Sequence, residues 1–337
     1  MAARQLSLQF TRRIPVMFKY PLLAAFLALV ACAAEKEAPT ADALPKVQLA
    51  LNWFPEAEHG GLYAAAVHGY YEENGVEVEI LGGGPDAPVV QRVATDAVAF
   101  GITNADDILY ARAQQIPIVA LMASYQISPR CIMVHESSGI DSISQIKNIT
   151  LALSQRPAFS HYLRWKYPFE GVTIVPYPGN VTQFLADENF AQQGYVFSEP
   201  FVAKTKGGDP KALLVADTGF NPYTSVLITT EERIAAEPEL VGAVVRASVK
   251  GWEKYLAEPE ATNRHINSLN PEMGMDILAY GAAESMDMIL DPVAQQNGLG
   301  SMTLERWQEL LEQMVAAGLI KEGVVDVTAA FTNRFLP

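Results

Sequence analysis

Cysteine is almost missing from this chain: Cys32 and Cys131 are the two in 337 residues. If Cys32 is consumed by a modification, Cys131 stands alone and no internal disulfide can form, even in an oxidising compartment. Positive charge is scarce as well. All 38 acids follow Cys32 and four of the 24 bases precede it, so the remainder carries 20 bases and a net charge of −18. That balance argues against a nucleic-acid partner and against a domain spread on an anionic bilayer. The five histidines, His59, His68, His135, His161 and His265, show neither HExxH nor paired ligand spacing, so no metal site is expected. "GGGPDAP" at 82–88 lacks the GxGxxG spacing and the Lys-Ser/Thr pair of phosphate cradles and reads as a loop. No repeat of fixed period appears, which argues against a solenoid. What is abundant is apolar mass: half the residues are apolar and 18% charged, enough for a large core in two compact lobes.

The first 19 residues hold Arg4, Arg12, Arg13 and Lys19 and no acid, and "YPLLAAFLALVA" then runs apolar for the length of a signal-peptide core. It is too short to span a bilayer comfortably. Residues 1–31 therefore read as an export signal. Its end, "LVAC", resembles the bacterial lipobox, which makes Cys32 the expected lipid-attachment residue. The following "AAEKEAPTADALP" is small, charged and proline-containing and reads as a flexible tether over 32–45. The expected location is periplasmic or cell-surface, with the lipid as the membrane contact. Cys131, inside the apolar run "RCIMVH", reads as a small buried residue.

From Lys46 onward short apolar runs alternate with helical patterns. Strands are expected at 46–51, 76–80, 97–102, 116–123, 130–135, 148–153, 172–177, 194–198, 211–216 and 224–229. Such alternation predicts parallel sheets with helices on both faces. Beyond about residue 231 the pattern is almost wholly helical, with a strong apolar stripe. The expected organisation is two α/β lobes, 46–130 with 227–337 and 131–226, crossed twice by the chain, with the C-terminal helices packed back on the first lobe.

In open α/β sheets ligands sit beyond the carboxyl ends of strands, where helix N-termini present free N–H groups. The expected strand ends deliver Asn52 and Trp53, Thr103 and Asn104, Ser154 and Gln155, Tyr177 through Asn180, and Ser198 and Glu199. Tyr223, in "GFNPYTS" ahead of the last strand, joins the candidate set. These are amides, hydroxyls, aromatics and a carboxylate, with no nucleophile and base in evidence. Each has a plainer reading: Thr103 and Asn104 are natural helix caps, and Glu199 before Pro200 complements a helix dipole.

"LNWFPEAEHGGLYAAAVHGYYEENGVEVEI", "VAFGITNADDILYARAQQIPIVALMA" and "YVFSEPFVA" resemble the SsuA/THI5-like (NMT1) group of substrate-binding proteins of ABC importers, over residues 46 to about 330. The resemblance implies a type II periplasmic-binding fold that closes by hinge motion on a small ligand, a permease as partner, a monomer, and no cofactor. The branch with "NW" and a downstream glutamate is similar to proteins that bind a formylated aminopyrimidine, a thiamine precursor, and to the eukaryotic thiamine-pyrimidine synthase. In that branch the residues matching Asn52, Trp53, His59 and Glu199 line the pocket. The synthase's lysine and histidine fall in the segment matching "GITNADD", where this chain has Thr103 and Asp107, and "GFNPYTS" lacks its cysteines. A binding protein, not an enzyme, is therefore expected.

A flat aminopyrimidine needs an aromatic face, which Trp53 offers, and partners for its donor-acceptor edge, which Glu199 and Asn52 offer. Sulfonates, taurine and nitrate are the rival ligand class, for which Arg130 and Arg156 are the available donors. A periplasmic enzyme on the same fold and a ligand-sensing partner of a membrane signalling protein are the readings from other classes.

Overall fold

The computed structural model describes residues 43–85 and 87–337. The expected signal segment, Cys32 and the tether through residue 42 lie outside the described residues. Among the described residues ten strands form two five-stranded sheets. The first is built from β1 (Lys46–Ala50), β2 (Glu77–Leu81), β3 (Phe100–Thr103), β4 (Ile118–Tyr125) and β10 (Thr224–Thr230), in the order β2-β1-β3-β10-β4. The second is built from β5 (Arg130–His135), β6 (Thr150–Ala152), β7 (Thr173–Val175), β8 (Phe190–Tyr195) and β9 (Pro210–Leu214), in the order β7-β6-β8-β5-β9.

Helices α1 (Gly60–Val67), α2 (Tyr70–Glu73), α3 (Val89–Ala94) and α4 (Ala105–Ala113) connect the first four strands. Helices α5 (Ala158–Lys166), α6 (Thr182–Ala186) and α7 (Glu199–Thr205) serve the second sheet. After β10 the chain is helical: α8 (Glu231–Ala236), α9 (Pro238–Ala257), α10 (Glu260–Leu269), α11 (Met275–Ile289), α12 (Pro292–Asn297) and α13 (Leu304–Ala316). No helix among the described residues is long and apolar enough to cross a membrane.

The sheets are mixed, not purely parallel as the alternation predicts. β10 runs antiparallel to β3 and β4, and β5 antiparallel to β8 and β9. The reason is connectivity: parallel neighbours need a long crossover within one sheet, whereas β5 and β10 each arrive from the other sheet. β8 also departs from expectation, occupying 190–195 in place of 194–198. Its Gln192 and Gln193 are buried in the centre of the second sheet, where an apolar run is the usual signal.

Two segments join the sheets, and α13 ties them together. Ser128 N–H donates to Asn221 Oδ1 at 2.8 Å, and Arg306 donates to the carbonyls of both Gln126 and Asn221. The C-terminal helices pack chiefly on first-sheet elements. α9 places Val241, Val244, Val245, Ser248, Gly251, Trp252 and Tyr255 in the interior at helical spacing, and this face crosses α1. The crossing needs glycine: a Cβ on Gly251 would lie 2.1 Å from the Gly61 carbonyl oxygen, and one on Gly61 would strike the Trp252 ring. The "HGG" that opens α1 is thus a packing device that fixes the loop before it. Gly251→Ala is expected to cost about 3 kcal/mol, at the upper end for overpacking because backbone must move. Urea unfolding measures it, and an unchanged midpoint would mean the two helices do not meet this closely.

Candidate functional site

The segment after β1 carries the densest set of candidate residues, and a glycine loop holds it. A Cβ on Gly83 would lie 2.2 Å from the Leu51 carbonyl oxygen, and Gly83 N–H donates to the Trp53 carbonyl at 2.9 Å. The "GGG" run therefore serves close backbone approach. It leaves Trp53 half-buried, with Phe54 edge-on at 5.5 Å between ring centroids.

Behind Trp53 runs a polar chain. His59 is fully buried, and its Nε2 lies 2.9 Å from Asn52 Oδ1. Burial holds its imidazole below the ordinary value, against the pull of Glu58, so the neutral ring donates from Nε2 to the Asn52 oxygen. Asn52 Nδ2 in turn donates to Glu58 Oε1 at 3.4 Å, and Ser225 Oγ donates to the same oxygen at 2.5 Å. Ser225 N–H donates to Asn104 Oδ1 at 3.3 Å. Asn52, His59 and Asn104 are thereby joined through two residues that the sequence reading passed over, Glu58 and Ser225. Ser225 is buried with φ +52°, a left-handed conformation that costs a non-glycine residue about 1–2 kcal/mol.

The second sheet supplies the facing group. Tyr177 donates its hydroxyl to Glu199 Oε1 at 2.7 Å, and Tyr195 N–H donates to Glu199 Oε2 at 2.7 Å. Gly194 makes room, since a Cβ there would lie 2.9 Å from Glu199 Oε2. The Arg130 guanidinium sits 4.3 Å over the Phe159 ring and 5.1 Å over that of Tyr195, and its Nη2 donates to the Tyr195 hydroxyl at 3.2 Å.

Glu56 links the two sides. It is 5% exposed, and burial, then the charges of Glu58 and Glu199, push its carboxyl well above the ordinary range. Carboxyl groups from both sheets thus act on Glu56, and burial and their charges favour its protonated form. The pattern "PEAEH" was its available signal: two acids inside an otherwise apolar approach to a helix. Glu199 also acts with burial to push the Cys131 thiol well up, so this buried side chain stays protonated.

The remaining candidates lie elsewhere or are engaged locally. Thr103 donates to Asp107 Oδ2 at 2.8 Å. Ser154 is held by Gln193, receiving Nε2–H on Oγ at 2.9 Å and giving its N–H to Oε1 at 2.6 Å. Gln155 is exposed. Asn180 is exposed and accepts Thr182 N–H at 2.9 Å, which closes its own turn. The Tyr223 hydroxyl accepts Thr303 N–H at 3.0 Å, and Arg306 lies 4.0 Å over its ring, so this side chain fastens α13 to the return segment and is not brought to the carboxylate group. Among the described residues no group of three or more His, Cys, Asp or Glu is arranged to hold a metal ion.

Comparison with known proteins bears on these features. The profile of the family described as NMT1/THI5 like matches residues 56–262. A riboflavin-binding protein, RibY, of Chloroflexus aurantiacus is 30% identical over 321 residues, covering 90% of this chain and 91% of its own. A formylaminopyrimidine-binding protein of Halalkalibacterium halodurans is 24% identical over 313 residues, covering 90% and 94%. Synthases of 4-amino-5-hydroxymethyl-2-methylpyrimidine phosphate also match. Among solved structures, the periplasmic aliphatic sulphonate binding protein SsuA of Escherichia coli superposes with a TM-score of 0.66 at 10% identity, over 86% of this chain and 93% of its own. The two share the periplasmic-binding-protein fold.

The Ser225 geometry separates strain from hydrogen bonding. Ser225→Ala loses the bond to Glu58 and keeps the left-handed strain, whereas Ser225→Gly loses the bond and relieves the strain. Denaturant unfolding should rank wild type above glycine and glycine above alanine by about 1 kcal/mol; alanine equal to or better than glycine would contradict the strained backbone.

Proposed function

The chain belongs to the NMT1/THI5-like family, and on that footing we propose that it is an exported solute-binding protein that captures a small planar heterocycle between its two sheets and delivers it to an ABC permease. Lipid attachment at Cys32 would keep it at the membrane. The observations that carry the reading are the half-buried Trp53 after β1, the hydrogen-bonded chain from His59 through Asn52 and Glu58 to Ser225, and the Glu199 carboxyl held by Tyr177 and Tyr195, whose charge acts on the buried Glu56. An indole face accepts a flat ring, with stacking worth about 0.5–1.5 kcal/mol beyond the buried area. The edge of a pyrimidine presents N–H donors to an ionised carboxylate and ring nitrogens or carbonyls to a protonated one. Glu199, fixed by the Tyr177 hydroxyl and the Tyr195 N–H, is oriented to accept such donors, and Glu56, whose protonated form burial favours, is suited to the second task.

Electrostatics disfavours the oxyanion class. A sulfonate or nitrate entering this region would meet the charges that act on Glu56, and the donor beside it, Arg130, is engaged by the Tyr195 hydroxyl and shares its cavity with the Asp106 carboxyl. Ligands named for two relatives, riboflavin and formylaminopyrimidine, share a planar nitrogen heterocycle. Synthase relatives raise the question of catalysis. Thr103 and Asp107 bond to each other at the matching segment, and a hydroxyl capped by a carboxylate supplies no cofactor lysine. This supports binding without turnover.

Titration calorimetry with riboflavin, a formylated aminopyrimidine, an alkanesulfonate and nitrate tests the reading. A heterocycle is expected to bind, the anions are not, and Trp53→Ala and Glu199→Gln should each weaken binding at least tenfold, about 1.4 kcal/mol, with far-UV dichroism unchanged. Tight sulfonate binding, or both variants at wild-type affinity, would overturn it.

A further inference from the structure

Next to the carboxylate group lies a small enclosed cavity lined by Asn104, Asp106, Ser128, Arg130, Phe159 and Thr224. Its volume is about 10 Å³, room for one water or one hydroxyl group. The lining comes from both sides of the molecule: Asp106 from the first turn of α4, Arg130 from the start of β5, and Ser128 and Thr224 from the ends of the two joining segments. Asp106 is 6% exposed.

Hydrogen bonds link the cavity to the site on both walls. On one, Asn104 holds the N–H of Ser225, whose hydroxyl holds Glu58. On the other, Arg130 holds the hydroxyl of Tyr195, whose N–H holds Glu199. These bonds set the cavity, with its carboxyl and its guanidinium, one residue's reach from Glu58 and from Glu199. That pair selects by chemistry. A hydroxyl can accept from Arg130 and donate to Asp106 at once, whereas a phosphate or carboxylate drawn to Arg130 would be repelled by Asp106.

Resting on the heterocycle reading above, we propose that the ligand is a planar ring bearing an uncharged hydroxylated chain, as in riboflavin, and that a hydroxyl of this chain occupies the cavity between Asp106 and Arg130. The ring alone fills the outer part of the site. Asp106 and Arg130 then set specificity by rewarding a neutral polyol and rejecting an anionic one.

Fluorescence titration of the full chain with riboflavin, lumiflavin, which has the ring without the polyol, and riboflavin 5′-phosphate provides the test. It is run at pH 8, above the value of about 7 to which burial and Asp107 raise the Asp106 carboxyl. Riboflavin should bind at least tenfold more tightly than either of the others. In Asp106→Asn the gap between riboflavin and its phosphate should narrow at least fivefold. Thr224→Val, a same-size change, should weaken riboflavin and leave lumiflavin unmoved, which keeps the test open if the aspartate variant fails to fold. Equal binding of riboflavin and lumiflavin overturns the proposal. Binding of a formylated aminopyrimidine with no flavin bound also overturns it and leaves the heterocycle reading intact; binding of no heterocycle at all removes both.

Discussion

Three carboxyl groups cannot share a dry space as three charges. At Glu56, Glu58 and Glu199 the fold brings them into electrostatic reach from a loop of the first sheet and a helix start of the second, and burial, then the charges of Glu58 and Glu199, push the Glu56 carboxyl well above its ordinary range. Glu58 is held through its hydrogen bonds to Ser225 and Asn52, and Glu199 through Tyr177 and the backbone of Tyr195. Much of the surrounding architecture serves this approach. Gly83 lets the Trp53 loop lie against β2, Gly194 admits Glu199, and Ser225 accepts a left-handed backbone in order to reach Glu58.

Such an arrangement is a liability to the empty protein. A glutamate that is harder to ionise folded than unfolded contributes stability that is complete below the unfolded value, near 4.5, and that is lost as pH rises toward the raised folded value. At neutral pH the cluster is therefore a cost to folding, with the strain at Ser225 added. The two joining segments, cross-bonded through Asn221 and clamped by Arg306, allow the two sides to be held at a defined spacing while the region between them remains polar.

Periodicity made the alternating strands and the helical C-terminal third legible, because apolar spacing of 2 and 3.6 records which faces are buried. It could not report strand direction, since β5 and β10 look like their parallel neighbours and differ in where they come from. β8 was misplaced because Gln192 and Gln193 are buried by partners distant in sequence, and polarity normally signals a surface. Asn52 and Trp53 follow the end of β1, where they could be read, whereas Glu199 opens α7, four residues beyond the end of β8. Glu56 showed only in "PEAEH", and Glu58 and Ser225 could not be read, because their bond joins residues more than a hundred positions apart. Tyr223 was attractive as an aromatic ring near the return segment, yet its hydroxyl and ring are both taken by α13.

The central claim is that burial, together with the charges of Glu58 and of Glu199 from the other sheet, favours the protonated form of Glu56. The most direct check is a carbon-13 NMR titration of glutamate carboxyls in the wild type and in Glu199→Gln. The account predicts one carboxyl, assigned to Glu56 by substitution, that titrates well above the ordinary glutamate range and moves down when Glu199 loses its charge. A Glu56 that titrates in the ordinary range, or one that is indifferent to Glu199, would contradict it.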